Sequence, residues 1–144
     1  MNALISFFSS FLLRDLLELT KATVYCHLRA PSMEKVLLNQ RLFNLIFFPY
    51  LSFQGKERLK QSLNAHGLWK DEYADRLVPV PGDLAVPLLG IEPAEFERLA
   101  NVIDVIVHNG AFVHWLKPYK ALKASNVLGT QVLLLILHWP AIYR

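Results

Sequence analysis

A single cysteine, Cys26, stands in 144 residues, which excludes an internal disulfide and gives no sign of a stapled secreted domain. All six glycines lie from Gly55 onward, so the first fifty-four residues have no cheap route to a turn with positive φ. Charged residues make up 19%, and fifteen Lys plus Arg against twelve Asp plus Glu leave +3 without a long basic block. Nothing in that balance demands a nucleic-acid partner. Histidines 27, 66, 108, 114 and 138 show no close ligand spacing, and CxxC, HExxH and GxSxG are all missing. A metal centre and a serine-hydrolase elbow are therefore not expected. Long hydrophobic runs are lacking too. The first thirteen residues are uncharged but have neither a basic n-region nor a small-x-small cleavage site. The uncharged stretch 42–55 contains Asn44, Pro49, Ser52 and Gln54 and falls short of the ~20 residues of a spanning helix. Val132 to Leu137 is shorter still, so no membrane span is expected.

What is present is apolar and patterned. Hydrophobic residues reach 53% with a mean hydropathy of +0.29, too greasy for a disordered chain. The length suits one domain or a piece of one, with a core burying roughly two thirds of the unfolded surface. Phe11 to Leu19 has helical spacing, with Ser9 or Ser10 as a cap. Ala22 to Leu28 is β-rich. Residues 35–53, aromatic-rich and holding Pro49, interrupt an otherwise regular unit and read as an insertion. Gly55 to Gly67 is helical, with Leu59, Leu63 and His66 on one side and Gly67 as C-cap. Leu77 to Pro81 is a short strand that Pro79 directs to an edge or marks as a strand beginning. Glu92 to Leu99 is a helix, Val102 to Val107 a buried parallel strand, and Tyr119 to Leu137 a long helix interrupted by Gly129 and ended by Pro140. Alternating helices and strands predict an α/β fold with a parallel sheet.

Ligands of open α/β sheets bind beyond the carboxyl ends of the strands. Two segments take that position: Gly82-Asp83-Leu84, and His108-Asn109-Gly110-Ala111. Gly110 admits close backbone approach, Asn109 offers donor and acceptor, and Asp83 accepts from an amine or hydroxyl, or else caps a turn. Arg29 ends the Ala22 to Leu28 strand, where a guanidinium either pairs with phosphate or is simply solvated. Asn126, a poor helix former inside a helix, needs a reason such as tying a turn to a neighbouring strand. Cys26, mid-strand, fits core better than nucleophile.

The segment VIDVIVHNGAFVHWLKPYKALKASNVLGT (102–130) resembles the thioester reductase domains of nonribosomal peptide synthetases, aminoadipate reductases and carboxylic acid reductases, within the extended short-chain dehydrogenase/reductase group. The resemblance also covers FLLRDLLELTKATVYCHLRA (11–30) and GKERLKQSLNAHGLWKDEYADRLVPVPGDL (55–84). It implies a partial Rossmann-like NAD(P)-binding fold that binds NADPH. The parent activity is reductive release of a carrier-tethered acyl or peptidyl thioester as aldehyde or alcohol, in the cytoplasm. By that resemblance Arg29 meets the adenosine 2′-phosphate, and Asp83 and Leu84 line the adenine. Asn109, Gly110 and Ala111 border the ribose and pyrophosphate, and Asn126 supports the active-site hydrogen bonds.

Two departures from the family pattern bear on activity. The glycines of its TGATGFLG loop fall on Ala3, Ser6 and Ser9, and the strand before that loop is missing. The family's catalytic Tyr-x-x-x-Lys follows the NVLGT helix, whereas the one such string here, Tyr119 to Lys123, precedes it. The expectation is a fragment, lacking the first strand and the C-terminal half, that is inactive alone. A non-enzymatic interaction module that uses the retained half-domain to bind a complementary protein, or a degraded gene product, stays open beside it; the exposed sheet edge also allows self-association.

Overall fold

The computed structural model describes residues 9–29 and 48–142. Helix α1 (Ser9–Leu19) leads into strand β1 (Val24–Arg29), and helix α2 (Phe48–Asn64) precedes strand β2 (Leu77–Gly82). Helix α3 (Pro93–Val102) follows, and Tyr119 to Ile142 is one unbroken helical run. That run comprises α4 (Tyr119–Lys123), a π-helical turn (Ala124–Leu128) and α5 (Gly129–Ile142). β1 and β2 pair in parallel, with Val24 opposite Leu77 and Arg29 opposite Gly82.

Side-chain alternation along the two strands builds the layers. Val24, Cys26 and Leu77 face one way, into a core with Leu13 and Leu17 of α1 and Leu59 and Leu63 of α2. Val80 faces the other way, joining Phe96, Leu99 and Ala100 of α3 and Leu133 and Ile136 of α5. Helices thus cover both faces of the sheet, the arrangement parallel strands require. Cys26 is fully buried, and burial pushes its thiol up to about 12, which suits core and not nucleophile.

The helix ends follow from local chemistry. Arg76 donates to the carbonyls of Leu17 and Thr20, and the Thr20 hydroxyl donates to Leu16, so these three carbonyls at the end of α1 are satisfied. At the end of α2, Gly67 takes φ +63°; Leu68 N–H reaches back to Leu63 and Gly67 N–H to Asn64, the paired bonds of a Schellman turn. Glu92 caps α3 by accepting from the N–H groups of Ala94 and Glu95.

Several expectations are corrected. Ser10 lies inside α1, and its hydroxyl bonds Ser62 of α2 across 2.8 Å rather than capping. His66 is exposed, against the Phe11 ring, and is not on the buried side with Leu59 and Leu63. Residues 48–53 of the expected insertion form the first turns of α2, with Pro49 at its second position, where no amide bond is lost; residues 35–47 lie outside the described residues. Val102 to Val107 is not a buried strand: Val102 closes α3, 103–110 pairs with no described strand, and Asp104 and Val105 are exposed. Ile103 and Ile106 pack on the α3–α5 core while Val107 packs on the other, a spacing that breaks two-residue alternation. Pro140 does not end the last helix, whose backbone continues to Ile142.

Tyr119–His138 is long and apolar enough to cross a membrane by length and composition. Leu133 and Ile136 nevertheless bury one side of it on α3. β2 carries Pro79 and Pro81, which have no N–H to offer an added strand and so blunt the sheet's edge.

Gly55 sits inside α2 because that helix lies on β2. A Cβ there would stand 2.6 Å from Cβ of Pro79 and 3.3 Å from the Leu28 methyl. Gly55→Ala improves helix propensity by about 1 kcal/mol, but the overpacking costs about 1–3 kcal/mol against a rigid proline ring. Urea unfolding is expected to show net destabilisation; a higher midpoint would mean that α2 does not rest on β2 this closely.

Candidate functional site

A cleft of about 400 Å³ opens at the carboxyl ends of β1 and β2. One wall is built from the strands: His27 and Arg29 from β1, Asp83 and Leu84 from the turn after β2. The opposite wall is the extended segment Val107 to Phe112, and Ala121, Ala124 and Ser125 of the last helix form its floor. Arg29, Asp83, Leu84, Asn109, Gly110 and Ala111 therefore all line one cleft. Asn126 lines none of it.

Arg29 and Asp83 are adjacent because β1 and β2 end in register. The Arg29 Nε lies 3.4 Å from Asp83 Oδ2, while Asp83 Oδ1 accepts from Ala85 N–H at 2.9 Å. Arg29's side chain is 80% exposed, so this ion pair is worth less than about 1 kcal/mol. Its guanidinium is positioned at the lip of the cleft without being consumed there. Small residues keep the cleft open and its walls close. A Cβ on Gly129 would meet the Leu84 carbonyl oxygen at 2.6 Å, so the long helix packs directly on the turn that holds Leu84.

Asn126 acts from behind the far wall. Its Oδ1 accepts from Phe112 N–H at 2.7 Å and its Nδ2 donates to the Phe112 carbonyl at 3.0 Å, a two-point clamp on one residue's backbone. It lies in the π-helical turn Ala124–Leu128, a local widening of the kind that recurs at functional sites. The carbonyl of Asn126 accepts from the Thr130 hydroxyl at 2.8 Å. With that proton committed, Thr130 Oγ1 accepts from His108 Nε2 at 3.0 Å, so His108 carries its proton on Nε2. The helix thereby holds both ends of the 108–112 segment.

His27, Phe112 and Thr130 went unassigned at the level of sequence. For His27 the signal was available, since residues 25, 27 and 29 share one face of β1. His27 Nε2 donates to the Leu89 carbonyl at 3.1 Å. Burial pushes its pKa below the usual imidazole range, against the opposing pull of the Leu89 carbonyl and Asp83. Burial also lowers His108. No group of three or more His, Cys, Asp or Glu side chains that could hold a metal occurs among the described residues.

The NAD_binding_4 family, described as Male sterility protein, matches residues 7–138. The chain belongs to this family. It is 42% identical over 125 residues to a linear gramicidin synthase polypeptide of Brevibacillus parabrevis, covering 87% of this chain and 2% of that protein. It is 45% identical over 76 residues to L-2-aminoadipate reductase of Schizosaccharomyces pombe, covering 53% and 5%. Among solved structures, the terminal R domain of the myxalamid PKS-NRPS biosynthetic pathway superposes with a TM-score of 0.75 at 36% identity, over 94% of this chain and 31% of that one. The reductase domain of a Mycobacterium tuberculosis nonribosomal peptide synthetase gives 0.64 at 27%, over 94% and 29%. The fold is thus Rossmann-like, and the chain spans about a third of these reductase domains. Its relatives in this NAD-binding family include reductase domains of peptide synthetases and aminoadipate reductases.

Two measurements test the site's construction. His27 and His108 bind protons more weakly folded than unfolded, so the unfolded chain gains protons first as pH falls. Stability is therefore expected to be full above the ordinary value of 6.5 and to drop as pH falls through it. His27→Gln flattens that slope in denaturant titrations between pH 5 and 8; an unchanged slope counts against a buried neutral His27. Separately, Asn126→Ala removes both bonds to Phe112, at a local cost of about 1–2 kcal/mol. Hydrogen exchange at the Phe112 amide is expected to speed up about tenfold or more, with Asn126→Asp intermediate because it keeps the acceptor. Exchange unaffected by Asn126→Ala would mean that the clamp does not hold the Phe112 backbone.

Proposed function

We propose that this chain supplies the adenosine-phosphate side of an NADPH site in a thioester reductase whose complete domain releases carrier-bound acyl or peptidyl thioesters as aldehyde or alcohol. The observation that carries this reading is the pairing of Arg29 with Asp83 at adjacent strand ends, facing Asn109-Gly110-Ala111 across one cleft. The donor set suits such a ligand. Arg29 keeps guanidinium N–H groups for a 2′-phosphate, and Asp83 Oδ2 accepts from an adenine amine once Arg29 turns to phosphate. Leu84 gives an apolar surface for the base, and Gly110 and Ala111 let the ribose and pyrophosphate approach backbone. When bound, the cofactor supplies a hydride; the protein's part is to orient it and exclude water from the thioester carbonyl.

The chain alone is proposed to hold nucleotide without turnover. Tyr119 and Lys123, the one Tyr-x-x-x-Lys string, are both exposed, and neither lines the cleft that their neighbours Ala121 and Ala124 do line.

Calorimetric titration of the purified chain with NADPH and NADH tests both statements. NADPH is expected to bind more tightly, and Arg29→Ala to weaken NADPH about tenfold or more while leaving NADH nearly unchanged. Equal losses for both nucleotides would remove Arg29 from phosphate recognition. NADPH oxidation with an acyl thioester present would overturn the proposed inactivity.

A further inference from the structure

His27 lines the cleft one step in from its lip. Tyr25, His27 and Arg29 share one face of β1, so the imidazole stands roughly 6.6 Å behind Arg29 along the strand. A Cβ on Gly82 would meet Nε2 at 2.3 Å and Cδ2 at 3.0 Å, so that edge of the ring is turned to β2. Nε2 is spent on the Leu89 carbonyl at 3.1 Å. Nδ1 is the ring atom opposite that edge. It has no hydrogen-bond partner among the described residues, nor is it sealed from water by them. The lone pair of the neutral ring therefore opens into the cleft.

Few charged or titratable groups face this imidazole. β1 brings the Arg29 guanidinium, and the turn after β2 brings the Asp83 carboxylate, close enough to favour a proton on His27. Across the cleft stands His108, whose Nε2 proton goes to Thr130. The floor residues Ala121, Ala124 and Ser125 carry no charge. Arg98 of α3 lies over Tyr25, 5.5 Å from its ring centre, one step further back on the same face. Burial keeps His27 neutral in the free chain, against the pull of Asp83. A dianion placed beside Arg29 reverses that balance. The added proton has one place to go, Nδ1, and there it leaves the Nε2 bond to Leu89 intact.

We propose that His27 is a second phosphate-binding group of the cleft, taking a proton from solvent onto Nδ1 when the cofactor's 2′-phosphate arrives and pairing with that phosphate alongside Arg29. This role rests on the nucleotide reading of the cleft, and it makes the choice between cofactors depend on pH. With NADH the ring stays neutral, and Nδ1 accepts from the ribose 2′-hydroxyl instead. No covalent bond forms or breaks; one proton moves from solvent to imidazole. Arg29 discriminates by a fixed charge, whereas His27 discriminates by a charge that only the phosphate calls up.

Calorimetry of the whole chain with each nucleotide, repeated near neutral pH in two buffers of different ionisation enthalpy, counts the protons exchanged. NADPH is expected to take up a substantial fraction of one proton, and NADH almost none. The phosphate's own second proton, with a pKa of about 6, moves the other way because Arg29 favours the dianion. Uptake is therefore a signature of the protein. His27→Gln keeps an amide N–H for Leu89 but cannot titrate, and is expected to abolish the uptake. It is expected to weaken NADPH about fivefold or more at mildly acidic pH and to leave NADH nearly unchanged. His108→Gln is expected to leave the uptake in place. A second measurement needs no variant. In NMR titrations, one of the five histidine C2–H signals is expected to move to a higher midpoint with saturating NADPH and to stay put with NADH. NADPH binding without proton uptake, uptake that survives His27→Gln, or equal losses for the two nucleotides overturns the role of His27 and leaves the nucleotide site standing. Binding of neither nucleotide overturns both.

Discussion

Much of this structure depends on one carbonyl oxygen. That of Leu89 accepts from Asp83 N–H at 2.8 Å and from His27 Nε2 at 3.1 Å. Presenting it requires left-handed backbone at Leu88 (φ 52°) and Leu89 (φ 61°), followed by Gly90 at φ 68°. Two consecutive leucines in that region cost roughly 1–2 kcal/mol each. The two hydrogen bonds and the complete burial of the Leu89 side chain against Phe96 and Val80 offset that cost. The tolerance is narrow. A Cβ on Gly82 would lie 2.3 Å from both His27 Nε2 and the Leu89 oxygen, so only glycine fits where these groups converge.

The position of the cleft follows from that junction. With Gly82 pinned between imidazole and carbonyl, the next residue, Asp83, emerges at a fixed height over the end of β1. There the parallel register has already placed Arg29. The same turn presents the Leu84 carbonyl to Gly129, which draws the long helix onto the strand ends and brings Asn126 within reach of Phe112. One strained turn thus sets the near wall directly and the far wall through the helix. The charged and polar groups of the cleft are held by packing and backbone bonds, not by the weak Arg29–Asp83 ion pair.

The sequence made some of this visible and concealed the rest for identifiable reasons. α1, β1 and α3 could be read because their apolar spacing and flanking polar residues agree, and Gly67 as a C-cap because its role is local. The meeting of Arg29 at the end of β1 and Asp83 just after β2 was likewise readable from order alone, whereas Asn109 reaches the same cleft without the strand expected before it. What was not readable depended on distant partners. Gly55 looks like a helix start, yet it is a helix interior whose missing Cβ answers to Pro79, twenty-four residues away. Ser10 looks like a cap, but its partner is Ser62. Asn126 signalled that it needed a reason, and only the folded chain shows the reason to be Phe112. His27 shares a face of β1 with Arg29, which pointed to the cleft, but its partner, the Leu89 carbonyl, had no local signature.

Val102 to Val107 shows the limit of composition most clearly. Its β-branched run is as strand-like as any in the chain, but β-propensity expresses fit to a pleated surface rather than a backbone preference. Ile103 bonds back to Leu99 as the last turn of α3 closes, and it shares a core with Ile106, three residues on, while Val107 enters the other. A strand that alternates cannot place residues 103 and 106 on one side. Where no described neighbour supplies a ladder, packing on two helical layers decides the path, and the run becomes an extended connector. It still delivers His108 and Asn109 to the cleft, because reaching that point depends on the length of an extended chain and on the helix that receives it. Pairing is not required. The site's position is therefore more robust than the sheet that family membership leads one to expect around it.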